Sequence, residues 1–224
     1  MVIWHFSDTH GYHDLLNVPE NIDIAIFSGD CSNFRDVYRS EQEILYFLEW
    51  YKSLNIRCKI MIAGNHDTAL ERKFISKQTL ESSGIKYLEN ESIEIDGIKI
   101  WGSPYTPSFN DWSFNKKRDK LHDLWQTIPE DTNIVVTHGP PAAILDLSYN
   151  SKNLLEYCGC TALKKRMLNL EPRLHLFGHI HNCQEIINAG YTKLSNYKTI
   201  FSNGSVVTDG KFGKLTSHGN IFEI

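Results

Sequence analysis

Residues 59–67 read Lys-Ile-Met-Ile-Ala-Gly-Asn-His-Asp, and the change of character at Gly64 decides the fold. A short, mainly apolar run with strand character ends in glycine, and side chains with metal-binding atoms follow at once. The same arrangement recurs along the chain. Val2–Phe6 leads into Asp8-Thr9-His10, residues 22–27 into Gly29-Asp30, and Leu174–Phe177 into Gly178-His179-Ile180-His181. A fifth stretch, Thr137-His138-Gly139, stands between the strand-like Ile134–Thr137 and Pro140-Pro141. Five such stretches, each at the end of a predicted strand, predict a site where loops from distant segments converge on hard cations.

Between these stretches, residues 40–54 carry apolar side chains at helical spacing, with Ser40 and Glu43 as a capping box. The opening therefore reads β-β-α-β and favours a largely parallel sheet with crossover helices. Further on, 74–83 reads as a short helix ending at Gly84. Residues 92–95 and 98–101 form a hairpin around Asp96-Gly97, and 160–170 form a helix. Runs near 185–187, 199–201 and 221–224 read as antiparallel strands. The long irregular stretch 103–118 holds Tyr105, Phe109, Trp112 and Phe114; it reads as a loop over a second core or as an aromatic wall beside a pocket. We find no linker or repeat, and expect one domain over 1–224.

Composition narrows the partners. A formal charge of −4 gives no basic footprint, so long nucleic acid is not expected. No apolar run is long enough to span a bilayer, and no signal-peptide pattern opens the chain. Five cysteines without framework spacing point to a reducing, cytoplasmic setting, with Cys158-Gly159-Cys160 read as incidental thiols.

The donors in the five stretches are carboxylate, imidazole and amide, with no thiolate among them. That set suits Mn²⁺, Fe, Co²⁺, Ni²⁺ or Zn²⁺ better than Mg²⁺ or Ca²⁺. Asp8 and His10, two apart at a strand end, share a face. Asp30 has two carboxylate oxygens and can bridge. About eight donors are too many for one ion and suit two, an arrangement that can share a hydroxide and clamp the oxygens of an in-line displacement.

In this order DTH, GD, GNHD, THGPP and GHIH resemble the calcineurin-like metallophosphoesterase superfamily, over residues 8–181. SPYTP, THGPP, GCTAL and LHLFGHIH further resemble its metallophosphoesterase-domain-containing subgroup, to which cyclic-nucleotide phosphodiesterases belong. The resemblance implies an α/β fold of two packed mixed β-sheets flanked by helices, a four-layer α/β/β/α sandwich with the site at the strand C-terminal ends. It implies two divalent metal ions, manganese foremost. Asp8, His10, Asp30 and His181 would hold the first, and Asp30, Asn65, His138 and His179 the second. His66 would protonate the leaving oxygen, with Asn65 and Asp30 beside it, in hydrolysis of a small phosphodiester or nucleotide, cyclic ones included, by a metal-bridging hydroxide. Phosphomonoester or phosphoprotein hydrolysis, nuclease activity on longer strands and a non-catalytic protein-binding scaffold are the alternatives.

Some positions need separate expectations. Many members of that superfamily carry a second aspartate, three residues after the GD aspartate, that orients the catalytic histidine. Here Asn33 stands there, which predicts an imidazole held by an amide, a weaker or differently oriented acid, and a preference for good leaving groups. Asp67 is expected to cap the helix after it, with support of a neighbouring loop as the alternative; His13 could support the site from behind, and His5 and His175 read as core histidines. His122 and His218 read as surface residues, and Cys31 as packing. Arg35, Arg118 and Trp112 are candidate substrate contacts, although a solvated arginine is the ordinary reading of each.

Overall fold

In a computed structural model describing residues 1–208 and 213–224, the chain runs β1 (Val2–Phe6), β2 (Ile24–Phe27), α1 (Val37–Ser53), β3 (Cys58–Met61), α2 (Thr68–Glu71), α3 (Lys77–Ser82), β4 (Ile85–Tyr87). It continues through β5 (Glu91–Ile95), β6 (Ile98–Ser103), β7 (Thr106–Pro107), β8 (Asn115–Lys116), α4 (Arg118–Gln126), β9 (Ile134–Thr137), β10 (Leu147–Tyr149) and β11 (Leu155–Tyr157). Then come α5 (Thr161–Leu170), β12 (Leu174–Phe177), β13 (Gly190–Lys193), β14 (Ile200–Asn203) and β15 (Asn220–Glu223).

Two mixed sheets organise these elements, in the orders β15-β1-β2-β3-β4 and β13-β14-β12-β9-β6-β5. Strand alternation explains how they stack. Ile3, Ile24, Ile26, Ile60 and Ile62 of the first sheet meet Ile100, Ile134, Val136, Leu174 and Leu176 of the second in one core. The alternate residues face outward: Trp4, Phe6, Phe27 and Met61 pack on Ile44, Phe47, Leu48 and Tyr51 of α1. On the other side Trp101, Val135, Phe177 and Phe201 pack on Leu121 and Trp125 of α4 and Leu163 and Met167 of α5. This is the four-layer order helix, sheet, sheet, helix. No helix of the described residues is long and apolar enough to cross a membrane.

Within each sheet the central strands β1–β2–β3 and β6–β9–β12 pair in parallel. Their C-terminal ends therefore point the same way, and the loops after β1, β2, β3, β9 and β12 carry the five donor stretches. The β5–β6 hairpin turns at Asp96 and Gly97, both at positive φ (50 and 78), as such a turn requires.

Three expectations need correction. Helix α1 starts at Val37, not at 40: the Asp36 side chain accepts from Arg39 N at 3.0 Å. Ser40 and Glu43 lie inside the helix, where both bond to the site loops instead of capping. The predicted helix 74–83 is shortened, with α3 beginning only after the Ser76 cap. In the tail, β14 is parallel to β12, not antiparallel, because the chain leaves β12, returns through β13 and reverses there; near 185–187, Ile186 pairs with Cys183 in an isolated antiparallel bridge around a turn at 184–185.

Candidate metal centre

The loop after β1 brings Asp8 and His10 into place, and the loop after β2 brings Asp30. All three take left-handed φ (53, 43 and 64), as does His179 (71). Non-glycine residues adopt this conformation uncommonly. The backbone is bent so that donor side chains turn inward, a feature that residue types alone do not show. Gly29, at φ +101, and Gly64 let two of these loops touch: a Cβ on Gly29 would fall 2.6 Å from Gly64 N, and one on Gly64 would fall 2.2 Å from Asp30 Oδ1.

Two donor groups result. Asp8, His10 and His181 offer atoms within 4.8 Å of one another, and so do Asp30, His138 and His179. A third grouping, His10, Asp30 and His66, links them, so geometry alone does not set His66 apart from the ligand candidates. His138 Nε2 lies 2.9 Å from Asn65 Oδ1 and 3.2 Å from Asp30 Oδ2. The second ring nitrogens are fixed from behind. His10 Nδ1–H donates to Ser32 O at 2.8 Å and His138 Nδ1–H to Ser28 O at 2.8 Å, which leaves each Nε2 for the centre.

Asp8 is fully buried and Asp30 is 2% exposed. Their ion-pair partners are histidines: His181 for Asp8, and His10 and His138 for Asp30. Burial acts against the charge of Asp8, yet the hydrogen bond and charge of His181 and the charge of His138 hold its carboxyl down at about 2. Burial likewise opposes ionisation of Asp30, and the neighbouring histidines outweigh it, so its carboxyl stays well below the usual range. Burial lowers His10 to about 4 and His179 to about 3. His138 is also disfavoured by burial, but Asp30 raises it to about 9. Buried carboxylates with no lysine or arginine paired to them call for positive charge. Gly64 and Gly178 let backbone press against Asp30 and Asp8, where an added Cβ would come within 2.2 Å, and the carboxylate and imidazole donors gathered there suit divalent ions.

Asp67 does not cap α2. Its carboxylate, fully buried, accepts from Gly64 N (2.8 Å), Asp30 N (2.9 Å), Cys31 N (3.1 Å) and Ser32 N (3.2 Å), tying the loop after β2 to the loop after β3. Burial and Asp30 raise its pKa to about 6, while these donors favour the charged form. The Cys31 thiol is buried against it at 3.3 Å. The Asn33 side chain does not hold His66 either. Its Nδ2 donates to His10 O (2.9 Å) and to Glu43; the imidazole Nδ1 instead meets the Asn33 main-chain oxygen at 3.2 Å. His13 packs among Tyr46, Phe47 and Trp50, away from any support role. His5 and His175 are fully buried, as expected, bonded to Ser202, Ser28 and Thr137, and His122 and His218 are exposed.

The 103–118 stretch divides its aromatics. Tyr105 and Phe114 pack together over the core, with Phe114 only 1% exposed. Trp112 lies 3.9 Å from the His66 ring and Phe109 5.1 Å from His179. The Arg35 guanidinium sits 3.9 Å from the Trp112 ring, whereas Arg118 Nη1 donates to Gly159 O at 3.2 Å, a structural contact. Trp112 and Arg35 thus stand at the site, and Arg118 is tied elsewhere.

These neighbouring groups of carboxylate and imidazole donors at the strand ends could hold divalent metal ions, and similarity to known proteins points the same way. The description "Calcineurin-like phosphoesterase" matches residues 1–183, and the chain belongs to that family. It is 33% identical to metallophosphoesterase domain-containing protein 1 of Homo sapiens, and equally to that of Mus musculus, over 90% of this chain and 65% of theirs. A UPF0046 protein of Caenorhabditis elegans is 29% identical over 85% of this chain and 67% of its own length. The chain thus spans about two thirds of these relatives. One solved structure, 12% identical, superposes with a TM-score of 0.67 over 90% of this chain and 89% of its own, a likeness of fold.

Proposed function

We propose that this chain is a phosphoester hydrolase with two divalent metal ions, manganese foremost, acting on small phosphodiesters, cyclic nucleotides among them. The observation that carries the reading is the pair of donor groups linked through the grouping of His10, Asp30 and His66. Asp8, His10, Asp30 and His181 would hold one ion, and Asp30, Asn65, His138 and His179 the other. When bound, the ions supply Lewis-acid charge for the phosphoryl oxygens and a nucleophile available at neutral pH.

The rest falls to side chains. His66 Nδ1 is turned to the Asn33 carbonyl and donates to it, so Nε2 is the nitrogen left for the leaving oxygen, and it would give up a proton from the imidazolium form. His66 N–H donates to Asp30 Oδ1 at 2.7 Å, which keeps the acid in register with the shared carboxylate. Phe109 supplies apolar surface for a base or aryl group beside His179, while the Trp112 ring is already packed against His66 and Arg35. Arg35 is the cation described at this rim. A single rim cation suits a diester monoanion better than a monoester dianion, which favours more fixed positive charge. The cysteine usage supports a cytoplasmic setting.

The test is turnover of bis-p-nitrophenyl phosphate, p-nitrophenyl phosphate and 2′,3′- and 3′,5′-cyclic nucleotides with Mn²⁺, Ni²⁺, Co²⁺ or Zn²⁺. We expect metal-dependent diester hydrolysis, lowered at least about 100-fold in His66→Ala and Asp30→Asn. Preference for the monoester would move the reading to a phosphatase. Full activity in Asp30→Asn would overturn the mechanism, and no turnover at all would leave the scaffold reading.

A further inference from the structure

The position that the motif comparison leaves to asparagine is served by a carboxylate from elsewhere. Glu43, on α1, accepts from Asn33 N–H at 2.6 Å and from Asn33 Nδ2 at 3.2 and 3.4 Å, a two-point grip on one residue. Both peptide units flanking the Asn33 α-carbon face a site histidine. The N–H that Glu43 holds belongs to the peptide whose carbonyl, Ser32 O, accepts from His10 Nδ1 at 2.8 Å. The next peptide's carbonyl, Asn33 O, lies 3.2 Å from His66 Nδ1. Asn33 Nδ2 also reaches His10 O at 2.9 Å.

We propose that Glu43 is the positioning residue of this centre: through the Asn33 backbone it fixes the ring orientation and tautomer of both His10 and His66. The inference rests on the hydrolase reading for its catalytic consequence, and on geometry for the rest. A carboxylate accepting from a peptide N–H polarises that peptide, so its carbonyl becomes a better acceptor. The chain carboxylate–peptide–imidazole therefore keeps the His10 proton on Nδ1 and Nε2 directed to the metal side, where it lies 3.9 Å from Asp30 Oδ2. The same grip sets where Asn33 O can stand, and so the plane of His66. The support is rigid because α1 is anchored by Ile44, Phe47, Leu48 and Tyr51, beginning at the residue after Glu43. Ser40, one turn earlier, adds a second tie, with its hydroxyl 3.4 Å from His66 O.

The experiment compares wild type, Glu43→Ala and Glu43→Gln as zinc-loaded full chains labelled with ¹⁵N-histidine. Long-range ¹H–¹⁵N spectra read the tautomers directly. In wild type His10 and His66 should show a protonated Nδ1. In Glu43→Ala the His66 nitrogens should average, and zinc affinity should weaken by about 10- to 100-fold. Glu43→Gln, which keeps one acceptor oxygen, should fall between, and it carries the test if the alanine variant does not fold. With substrates, Glu43→Ala should lower kcat for diphenyl phosphate about 10-fold more than for bis-p-nitrophenyl phosphate at unchanged KM, because only the poorer leaving group needs the positioned acid. Unchanged tautomers and an unchanged kcat ratio in Glu43→Ala would overturn the proposal. If wild type hydrolyses no diester, the hydrolase reading falls, while the spectra and zinc titration still decide the role of Glu43.

Discussion

His5 and His175 are each fully buried, and burial holds both rings neutral, at about 3 for each against 6.5 in water. Between those values the unfolded chain binds protons that the folded chain refuses. Stability from these residues is therefore complete above about pH 6.5, falls as pH drops, and levels off below about pH 3. Each histidine costs about 1.4 kcal/mol per pH unit in that window, or about 2 kcal/mol between pH 7 and 5. In denaturant melts His175→Gln should be about 1.4 kcal/mol per pH unit less acid-sensitive than wild type between pH 6 and 4.5; equal slopes would refute this. At this scale the sequence was informative about residue type and silent about partners. His5 and His175 are recognisable as core histidines because they sit inside apolar strands. For Asp67 a neighbouring loop was only the second reading, and its donors were not recognisable. Three of its four backbone donors are 35 to 37 residues away, and no local pattern announces a contact made only after two loops have folded together.

Among the elements, the central strands were legible because their apolar runs end abruptly in glycine and polar donors. The start of α1 was not, for a physical reason. Ser40 and Glu43 satisfy the spacing of a capping box, yet both side chains are spent on the loop after β2 and on His66 O, while Asp36 does the capping. The shortening of 74–83 follows the same lesson, since Ser76 caps the helix near the start of the predicted one. The elements' most demanding joint is the meeting of the loops after β2 and β3. An alanine at Gly64 would put its Cβ 2.2 Å from Asp30 Oδ1, 2.6 Å from Asp30 N and 2.6 Å from His138 Cε1. Backbone is one of those neighbours, so side-chain rotation cannot relieve the clash. Gly64→Ala should therefore lose about 1–3 kcal/mol of stability and bind metal at least about 10-fold more weakly, as read by thermal melts and titration calorimetry. A variant that keeps wild-type metal affinity would show that the loops slide apart freely.

For the whole molecule, the decisive fact is that neither sheet holds a complete donor set. Asp8, His10, Asp30, Asn65 and His66 come from the loops of the first sheet, and His138, His179 and His181 from those of the second. Each proposed ion takes ligands from both. Between the sheets lies an aliphatic layer built largely of isoleucine, with a few directional bonds beside it, such as that between His5 Nδ1 and Ser202 Oγ at 2.8 Å and from Ser7 N–H to Gly204 O at 2.8 Å. Binding to the folded state alone adds about 4 kcal/mol when free metal is a thousand times Kd. We expect that in chelator hydrogen exchange separates the two sheets into units of different opening energy, and that saturating Mn²⁺ or Zn²⁺ merges them into one. Identical exchange profiles with and without metal would exclude this coupling. If Asp30 bridges the ions as proposed, its carboxylate would also have a meaning outside chemistry: it would be a rivet whose occupancy reports that two half-molecules have been assembled in register.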